Sequence, residues 1–212
     1  MATDYCEYLM SGYPGFKETV RQKREGHDFI RRVKDRGSSV AIIAPHGGRI
    51  EPGTSELALA IAGHTYSYYL FEGRQGHDNR DLHIFSTQFD DPLCLDLLCK
   101  TQYAVSLHGC DDGEKKVYVG GRNQALQRII LHSLKSSGFP AIIDKTNHGG
   151  KDKGNICNRC ISNEGVQLEI SWAMREDFFA SLEIGKIPVK TKPFYGFVSS
   201  LRKALRGYAD ES

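Results

Sequence analysis

Apolar and polar positions follow two different periods along the chain, and their alternation predicts the elements of the fold. Short apolar runs rich in β-branched and aromatic residues are typical of buried strands. They lie at 39–45, 65–73, 82–87, 103–109, 116–121, 140–144 and 165–171. Segments with helical spacing lie between and after them, at 54–63, 91–100, 122–138 and 193–208.

Strands that alternate with helices indicate an α/β domain around a mainly parallel sheet, with helices on both faces. No repeat, low-complexity tract or change of composition interrupts the chain. Residues 1–212 are therefore expected to form one domain, with a disordered end at 209–212. Residues 28–43 fit either a helix or a hairpin that turns at 35–38, and the hairpin is favoured.

Composition and charge argue against several classes of protein. The 212 residues include 28 basic and 26 acidic ones, a net charge of +2, so a nucleic-acid partner is not expected. Basic residues gather at 17–36 and 186–206, where a solvated face is favoured over weak attraction for a polyanionic substrate. No apolar run is long enough to span a membrane and no leader peptide is visible, so we expect a cytoplasmic protein that host lysis could release. We also expect it to be a monomer.

Six cysteines are interpreted as free thiols, because the expected compartment is reducing. Cys94, Cys99 and Cys110 lie in or beside apolar runs and resemble small core residues. Cys157 and Cys160 form one CxxC pair. A structural zinc site would need two further ligands at suitable spacing, and the sequence offers no second pair.

Two histidines stand at equivalent strand ends, and a glutamate accompanies the first. His46 follows one buried strand and His108 ends another, and each precedes a glycine. Glu51 lies five positions after His46, just before a predicted helix. Because ligands gather at the carboxyl ends of strands in α/β sheets, the three side chains are expected to meet. Two imidazoles and a carboxylate form the ligand set of a catalytic zinc ion, one per chain.

Glu169 is a charged residue inside an otherwise apolar strand, where an unpaired carboxylate is costly. It is the candidate general base of a zinc hydrolase, and a structural ion pair is the alternative. A carboxylate-bearing substrate calls for arginine, whose planar fork matches a carboxylate. The candidate substrate-binding residues are Arg122, Arg159 and Arg175 for a carboxylate, Asn123 and Asn155 for an amide, and His83, for which a core role is the alternative.

Five blocks of the sequence occur in an order that resembles one known family. They are APHGGRIEPGTSELALAIAG, LHIFSTQFDDP, VSLHG, NICNR and GVQLEIS. Over about residues 28–175, the chain resembles the phage-type poly-γ-glutamate hydrolase family, whose members are also labelled phage-related replication proteins. The resemblance implies a three-layer α/β/α sandwich with a mixed, mainly parallel sheet, zinc carboxypeptidase-like, that hydrolyses γ-glutamyl amide bonds.

The same motifs imply roles for single residues. His46, Glu51 and His108 match the zinc ligands, and Glu169 matches the general base of carboxypeptidase-type enzymes. The first two ligands have the spacing HxxxxE, where most metallocarboxypeptidases have HxxE, a departure expected of this family. The substrate-binding arginines do not transfer by motif. For a phage, removal of a polyglutamate capsule would ease access to new hosts.

Two other functions stay open on the sequence alone. A zinc peptidase or amidohydrolase for another γ-glutamyl or acyl-amino substrate would keep the same metal residues, so only substrate profiling separates it from the first interpretation. A non-catalytic, replication-associated binding protein would keep the fold and bind nucleic acid in a salt-sensitive way. The near-neutral charge and the set of two histidines and two glutamates both favour the hydrolase.

Overall fold

The structure, a computed structural model, describes residues 15–76, 79–146, 149–182 and 188–210. Its strands are β1 (Phe29–Lys34), β2 (Val40–Gly48), β3 (Ser67–Gly73), β4 (Tyr103–Cys110), β5 (Val117–Gly121), β6 (Ala141–Ile143) and β7 (Val166–Ser171). Its α-helices are α1 (Phe16–Thr19), α2 (Thr54–Ala62), α3 (Pro92–Leu98), α4 (Gln124–Ser136), α5 (Trp172–Phe178) and α6 (Lys192–Asp210). Short 3₁₀ turns lie at Arg80–Leu82 and Ile156–Asn158.

All of these strands belong to one sheet, in the order β1-β3-β2-β4-β7-β5-β6. The central strands β3, β2, β4 and β7 run parallel to one another. β1 is antiparallel to β3, and β5 is antiparallel to β7, with β6 parallel to β5. The predicted mixed, mainly parallel sheet is confirmed, and its parallel centre brings the carboxyl ends of β2, β4 and β7 to one edge.

Side chains that alternate along the strands build a separate core on each face of the sheet. In β2, Ile42 and Ala44 pack into a first core with α2, α4, α5 and α6. Their neighbours Ala41 and Ile43 pack into a second core with α1, α3 and the turn at 80–82. Helices therefore cover both faces, as the α/β/α sandwich requires. Among the helices described, none is both long enough and apolar enough to cross a bilayer.

The C-terminal helix buries one face. Phe194, Phe197, Leu201 and Leu205 of α6 are all buried in the first core, so the predicted surface helix is an amphipathic one that helps to close the sandwich. α6 extends to Asp210. The rest of the end predicted to be disordered, 211–212, lies outside the described residues.

The predicted hairpin at 28–43 is wrong in its pairing. Both of its strands form, as β1 and β2, but β1 pairs with β3, which lies between them in the sheet. Parallel pairing of β2 with β3 occupies the edge of β2 that a hairpin would need. β1 therefore joins the sheet as an edge strand, one place away from its neighbour in sequence.

The strand predicted at 82–87 is also wrong. The segment leaves the 3₁₀ turn at 80–82 and continues as a loop with no ladder partner. Leu82 and Ile84 are both buried in the second core. The alternating pattern thus reflects side chains that pack on the sheet from outside, which leaves the backbone carbonyls available to other groups.

The five cysteines in the described residues are free thiols. Cys94 is buried, but Cys99 is exposed and Cys110 is half-buried, so the predicted core role applies to the first alone. Cys157 and Cys160 are both buried beside the amino-terminal end of β7, where they pack as small apolar residues.

Candidate metal centre

Three potential metal ligands meet where β2 and β4 end. His46 lies in β2, His108 lies in β4, and Glu51 lies in the loop between β2 and α2. The His46 and His108 side chains are almost fully buried, and Glu51 is nearly so. One ligand atom from each residue lies within 4.8 Å of the other two. The structure therefore brings together the three residues that the sequence selects as ligands.

A β-bulge in β2 directs His46 toward this cluster. Between Ala44 and Gly47 strand β2 advances by three residues while β3, from Leu70 to Glu72, advances by two. Simple alternation would place His46 on the same face as Ala44, in the first core. The extra residue reverses the alternation, so the imidazole lies on the face of the second core.

His108 and Glu169 reach the same face by ordinary alternation. Leu107 and Leu168 pack into the first core, so the residues that follow them lie on the opposite face. β4 and β7 are neighbouring parallel strands, and His108 and Glu169 are register partners between them. The candidate general base thus stands directly beside one of the candidate ligands.

Hydrogen bonds to the protein fix both imidazole rings. Nε2 of His46 lies 2.6 Å from the carbonyl oxygen of Ile84, and Nε2 of His108 lies 2.8 Å from Oγ of Ser106. The two Nδ1 atoms consequently face each other at 3.1 Å, and Oε1 of Glu51 lies 2.9 Å from Nδ1 of His46. Two nitrogen ligands of a tetrahedral zinc ion lie about 3.3 Å apart. The residues present therefore fit a divalent metal ion such as zinc.

The second oxygen of Glu51 is also held. Oε2 accepts a hydrogen bond of 2.8 Å from the backbone N–H of Gly109, the residue after His108. This contact ties the loop that carries Glu51 to the end of β4. Partners of this kind fix the orientation of ligands and raise metal affinity.

The charges of the three groups compensate one another in the protein. Burial opposes a charge on His46, but the neighbouring Glu51 carboxylate outweighs burial and raises the pKa of His46. Burial would raise the pKa of Glu51, yet the interaction with His46 lowers it. Burial lowers the pKa of His108 to about 3. His108 is therefore neutral and able to ligate, and the raised pKa of His46 shows that the Glu51 carboxylate favours positive charge at this site, which a metal ion would also bring.

Glu169 is a carboxyl group with an unusual environment. Burial, followed by the negative charge of Glu51, raises its pKa to about 8. Its Oε1 accepts a hydrogen bond of 2.9 Å from Nε2 of Gln167. A cation held by the nearby ligands would lower this pKa, since opposite charge favours the ionised form. Such a carboxyl group can exchange a proton close to neutral pH.

A cleft of about 430 Å³ opens beside Glu51 and His83. The His83 ring stacks on the His46 ring with centroids 4.1 Å apart, and its Nε2 lies 3.3 Å from Oε1 of Glu51. Its side chain is 42% exposed, so it presents one edge to the cleft. Two arginines that sequence reasoning missed, Arg49 and Arg80, also line this cleft. Arg49 could have been noticed, because it lies inside the motif that carries His46 and Glu51.

Arg175 lies in the cleft wall, and its nitrogen atoms donate to the protein. Nε bonds the carbonyl of Ile170 at 3.1 Å, Nη1 that of Pro52 at 2.9 Å, and Nη2 that of Cys110 at 3.2 Å. The guanidinium also lies over the ring of Trp172, 5.0 Å from its centre. Arg175 thus connects β4, β7 and the Glu51 loop, and it acts on the site by holding these three segments together.

Arg122 and Asn123 lie near the opposite edge of the sheet. β5 is antiparallel to β7, and its last residue, Gly121, pairs with Val166 at the amino-terminal end of β7. Asn123 accepts a hydrogen bond from the N–H of Leu126 and so caps α4. A parallel β5 would have placed these two residues at the edge that carries His46 and His108. Because β5 is antiparallel to β7, its carboxyl end and the two residues after it lie at the opposite edge of the sheet.

Arg159 and Asn155 lie in the loop before β7. Arg159 follows the 3₁₀ turn at 156–158 and is exposed to solvent, and it does not line the cleft described above. Asn155 is buried, and its side chain contacts Gln167 and the backbone of Cys157. Its polar atoms are therefore directed to the protein.

We expect Gly109→Ala to weaken both the fold and metal binding. A Cβ at this position would lie 2.5–2.8 Å from the Arg175 guanidinium, which three carbonyls hold in place. Such overpacking costs about 1–3 kcal/mol. Displacement of this backbone would also disturb the N–H that holds Glu51. Thermal unfolding and metal titration measure the two effects. Gly113→Ala is the matched control, because a Cβ there meets nothing within 4 Å; equal effects from both variants would contradict the argument.

A family model described as poly-gamma-glutamate hydrolase matches residues 13–200. The Bacillus subtilis UPF0714 protein YmaC is 36% identical over 196 residues, which cover 91% of this chain and 83% of that protein. A bacteriophage poly-gamma-glutamate hydrolase superposes with a TM-score of 0.90 at 35% identity, covering 94% of this chain and 99% of the other. A second structure, YNDL-apo (zinc-free), superposes with a TM-score of 0.87 at 32% identity, covering 92% and 98%.

Proposed function

The chain belongs to the poly-gamma-glutamate hydrolase family, and on that premise we propose that it is a zinc-dependent enzyme that cleaves the γ-glutamyl amide bonds of poly-γ-glutamate. One observation carries the proposal. Ligand atoms of His46, Glu51 and His108 converge within 4.8 Å, and His108 lies on the strand beside Glu169. This is the arrangement of a hydrolytic metal site, with two imidazoles, one carboxylate and a further carboxyl group to move protons.

The donor set supports zinc as the metal. Two imidazole nitrogens and one carboxylate oxygen are borderline ligands that suit zinc, whereas calcium and magnesium prefer oxygen alone. The structure YNDL-apo is described as zinc-free, which agrees with zinc as the metal of that relative. Three protein ligands leave a coordination position for water or substrate, as catalytic zinc sites require.

The residues of this chain supply the proton transfers. The chemistry that a bound zinc ion would supply is polarisation of the amide carbonyl and activation of a water molecule for attack. Glu169 takes a proton from the attacking water as the new carbon–oxygen bond forms. It then returns that proton to the departing nitrogen as the carbon–nitrogen bond breaks. The second proton of the water stays on the new carboxyl group and then passes to the amine, so the products at neutral pH are a carboxylate and an ammonium group, and Glu169 ends as it began.

The cleft supports an anionic substrate. Each unit of a γ-linked glutamate chain carries a free α-carboxylate, so the polymer presents a negative charge at every repeat. The residues that line the cleft include the basic or neutral Arg49, Arg80 and His83 as well as the acidic Glu51 and Asp111. Arginine is the side chain best suited to bind a carboxylate through two parallel hydrogen bonds.

Arg49→Ala should raise the KM for poly-γ-glutamate by about 10- to 100-fold and change kcat much less, because the loss of one charged hydrogen bond costs about 1.5–3 kcal/mol of binding. The effect should shrink as salt is added, since salt screens the attraction of the polyanion. Initial rates at several polymer and salt concentrations measure both. Arg128→Ala on the exposed side of α4 is the control. An unchanged KM in Arg49→Ala would remove this residue from the substrate site.

The experiment that tests the function compares two polymers of equal length and charge. The zinc-loaded protein is incubated with γ-linked and with α-linked polyglutamate, and chain length and free amine are measured together. Shortening of the γ-linked polymer alone is the expected result. Stoichiometric zinc without cleavage of either polymer would move the assignment to a small γ-glutamyl or acyl-amino substrate, and failure to bind zinc would remove the proposed mechanism.

A further inference from the structure

Two buried amide side chains connect Glu169 to the loop before β7. Nδ2 of Asn155 donates to Oε1 of Gln167 at 2.8 Å, and Nε2 of Gln167 donates to Oε1 of Glu169 at 2.9 Å. Asn155 is 4% exposed and Gln167 is 5% exposed. At the other end, the backbone N–H of Cys157 donates to Oδ1 of Asn155 at 3.1 Å. The chain of hydrogen bonds therefore runs from a backbone donor to the proposed base.

The direction of this chain is fixed by the Cys157 N–H, which can only donate. It requires an oxygen on the facing side of Asn155, so the amide nitrogen of Asn155 faces Gln167. That nitrogen in turn requires the oxygen of Gln167, and the amide nitrogen of Gln167 is left to face Glu169. Reversal of either amide would set two acceptors or two donors against each other in a buried place.

The loop before β7 packs closely against Gln167. A Cβ on Gly150, whose φ is +66°, would lie 2.9 Å from Cβ of Gln167. Asn158 spans the same loop, since its Nδ2 donates to the carbonyls of Gly150 and Asp152 at 2.7 Å each. Gln167 is thus covered by a loop whose shape is fixed by the hydrogen bonds of Asn158. The rotamer of Gln167 is therefore restricted by packing as well as by hydrogen bonds.

We propose that Asn155 and Gln167 are positioning residues that assign separate tasks to the two oxygens of Glu169. The proposal rests on the role of Glu169 in the proposed function. Oε1 accepts the Gln167 N–H and is the anchored oxygen. Oε2 is then the better acceptor for a mobile proton, and it takes the proton from water and delivers it to the leaving amine. The two amides act through Glu169 and do not touch the substrate.

Asn155→Asp tests the direction of the chain. The aspartate still accepts from Cys157 but cannot donate, so the Gln167 amide must turn and present its oxygen to Glu169. We expect kcat for poly-γ-glutamate to fall about 10- to 100-fold, with KM within about twofold and zinc content unchanged. Gln167→Met, which is close in shape and has no N–H, should lower kcat to a similar degree. Asn163→Asp, an exposed asparagine of the same loop, is the matched control.

A readout independent of activity separates this proposal from the proposed function. In the ¹⁵N spectrum of the zinc-loaded protein, the Gln167 carboxamide proton should resist exchange with solvent, and Asn155→Asp should abolish that protection. If the wild-type protein does not cleave the polymer but this proton is protected as expected, the proposed function is wrong and the hydrogen-bonded geometry of Glu169 is still supported. Unchanged kcat in both variants, or losses that follow the folded fraction, would overturn the positioning role.

Discussion

Glu169→Gln is expected to lower kcat by about 10³-fold, within the range of 10²–10⁴ that a positioned general base contributes. The amide has nearly the same shape as the carboxyl group but cannot accept a proton from water. Oε1 can still accept the N–H of Gln167 at its present distance of 2.9 Å, so the local hydrogen bonding is retained. Zinc content, measured with the rate on the same sample, should stay at one ion per chain.

Glu164→Gln is the control for that substitution. Glu164 lies just before β7 and is exposed, so the same change of charge is made on the same stretch of chain without touching the site. Its kcat should equal that of wild type. A Glu169→Gln protein that binds zinc and retains full activity would show that another group moves the proton, and the mechanism proposed above would fail with it.

The second large effect is expected from His108→Ala, which removes one of the three proposed metal ligands. Changes to groups that only orient ligands already cost about 10–100-fold in metal affinity, so this loss should exceed about 10²-fold. His108 is neutral in the protein, with its pKa lowered to about 3 by burial. The alanine therefore removes no charge, and the hydroxyl of Ser106 merely loses a partner. The zinc content after dialysis and the rate of polymer cleavage should fall together.

His132→Ala provides the comparison, because this histidine lies on the exposed face of α4. It should bind one zinc ion and cleave the polymer like wild type. Added zinc at high concentration should partly restore His108→Ala, since His46 and Glu51 still offer two ligands. A variant that keeps tightly bound zinc at wild-type affinity would contradict the ligand assignment for His108.

The three candidate ligands could be selected from the sequence because the patterns that mark them are local. Glycines and a strand end mark His46 and His108, and Glu51 lies close to the first of them in the chain. The assembly of two strand ends at one edge then follows from the parallel centre of the sheet. The general features of the fold, strands alternating with helices, follow from hydrophobic period alone.

The rest depends on contacts that no local pattern contains. The reversal of β5 moves Arg122 and Asn123 to the other edge, and a strand of five residues carries no mark of its direction. The loop at 82–87 has an alternating pattern but no partner strand, and it supplies the carbonyl of Ile84 to His46. Arg175 looks like a surface arginine in sequence, yet it is 2% exposed. In each case the partner lies far away in the chain.

The bulge in β2 sets a requirement on segment length that is separate from residue identity. If β2 kept all of its residues but alternated regularly past Ala44 with no bulge against β3, the imidazole of His46 would lie on the face of Ala44, in the apolar layer under α2. All three candidate ligand residues would still be present in such a chain, but their side chains could no longer converge on one ion. Transplanting this centre into another scaffold would therefore require copying the irregular strand itself, because the three side chains alone do not specify the geometry.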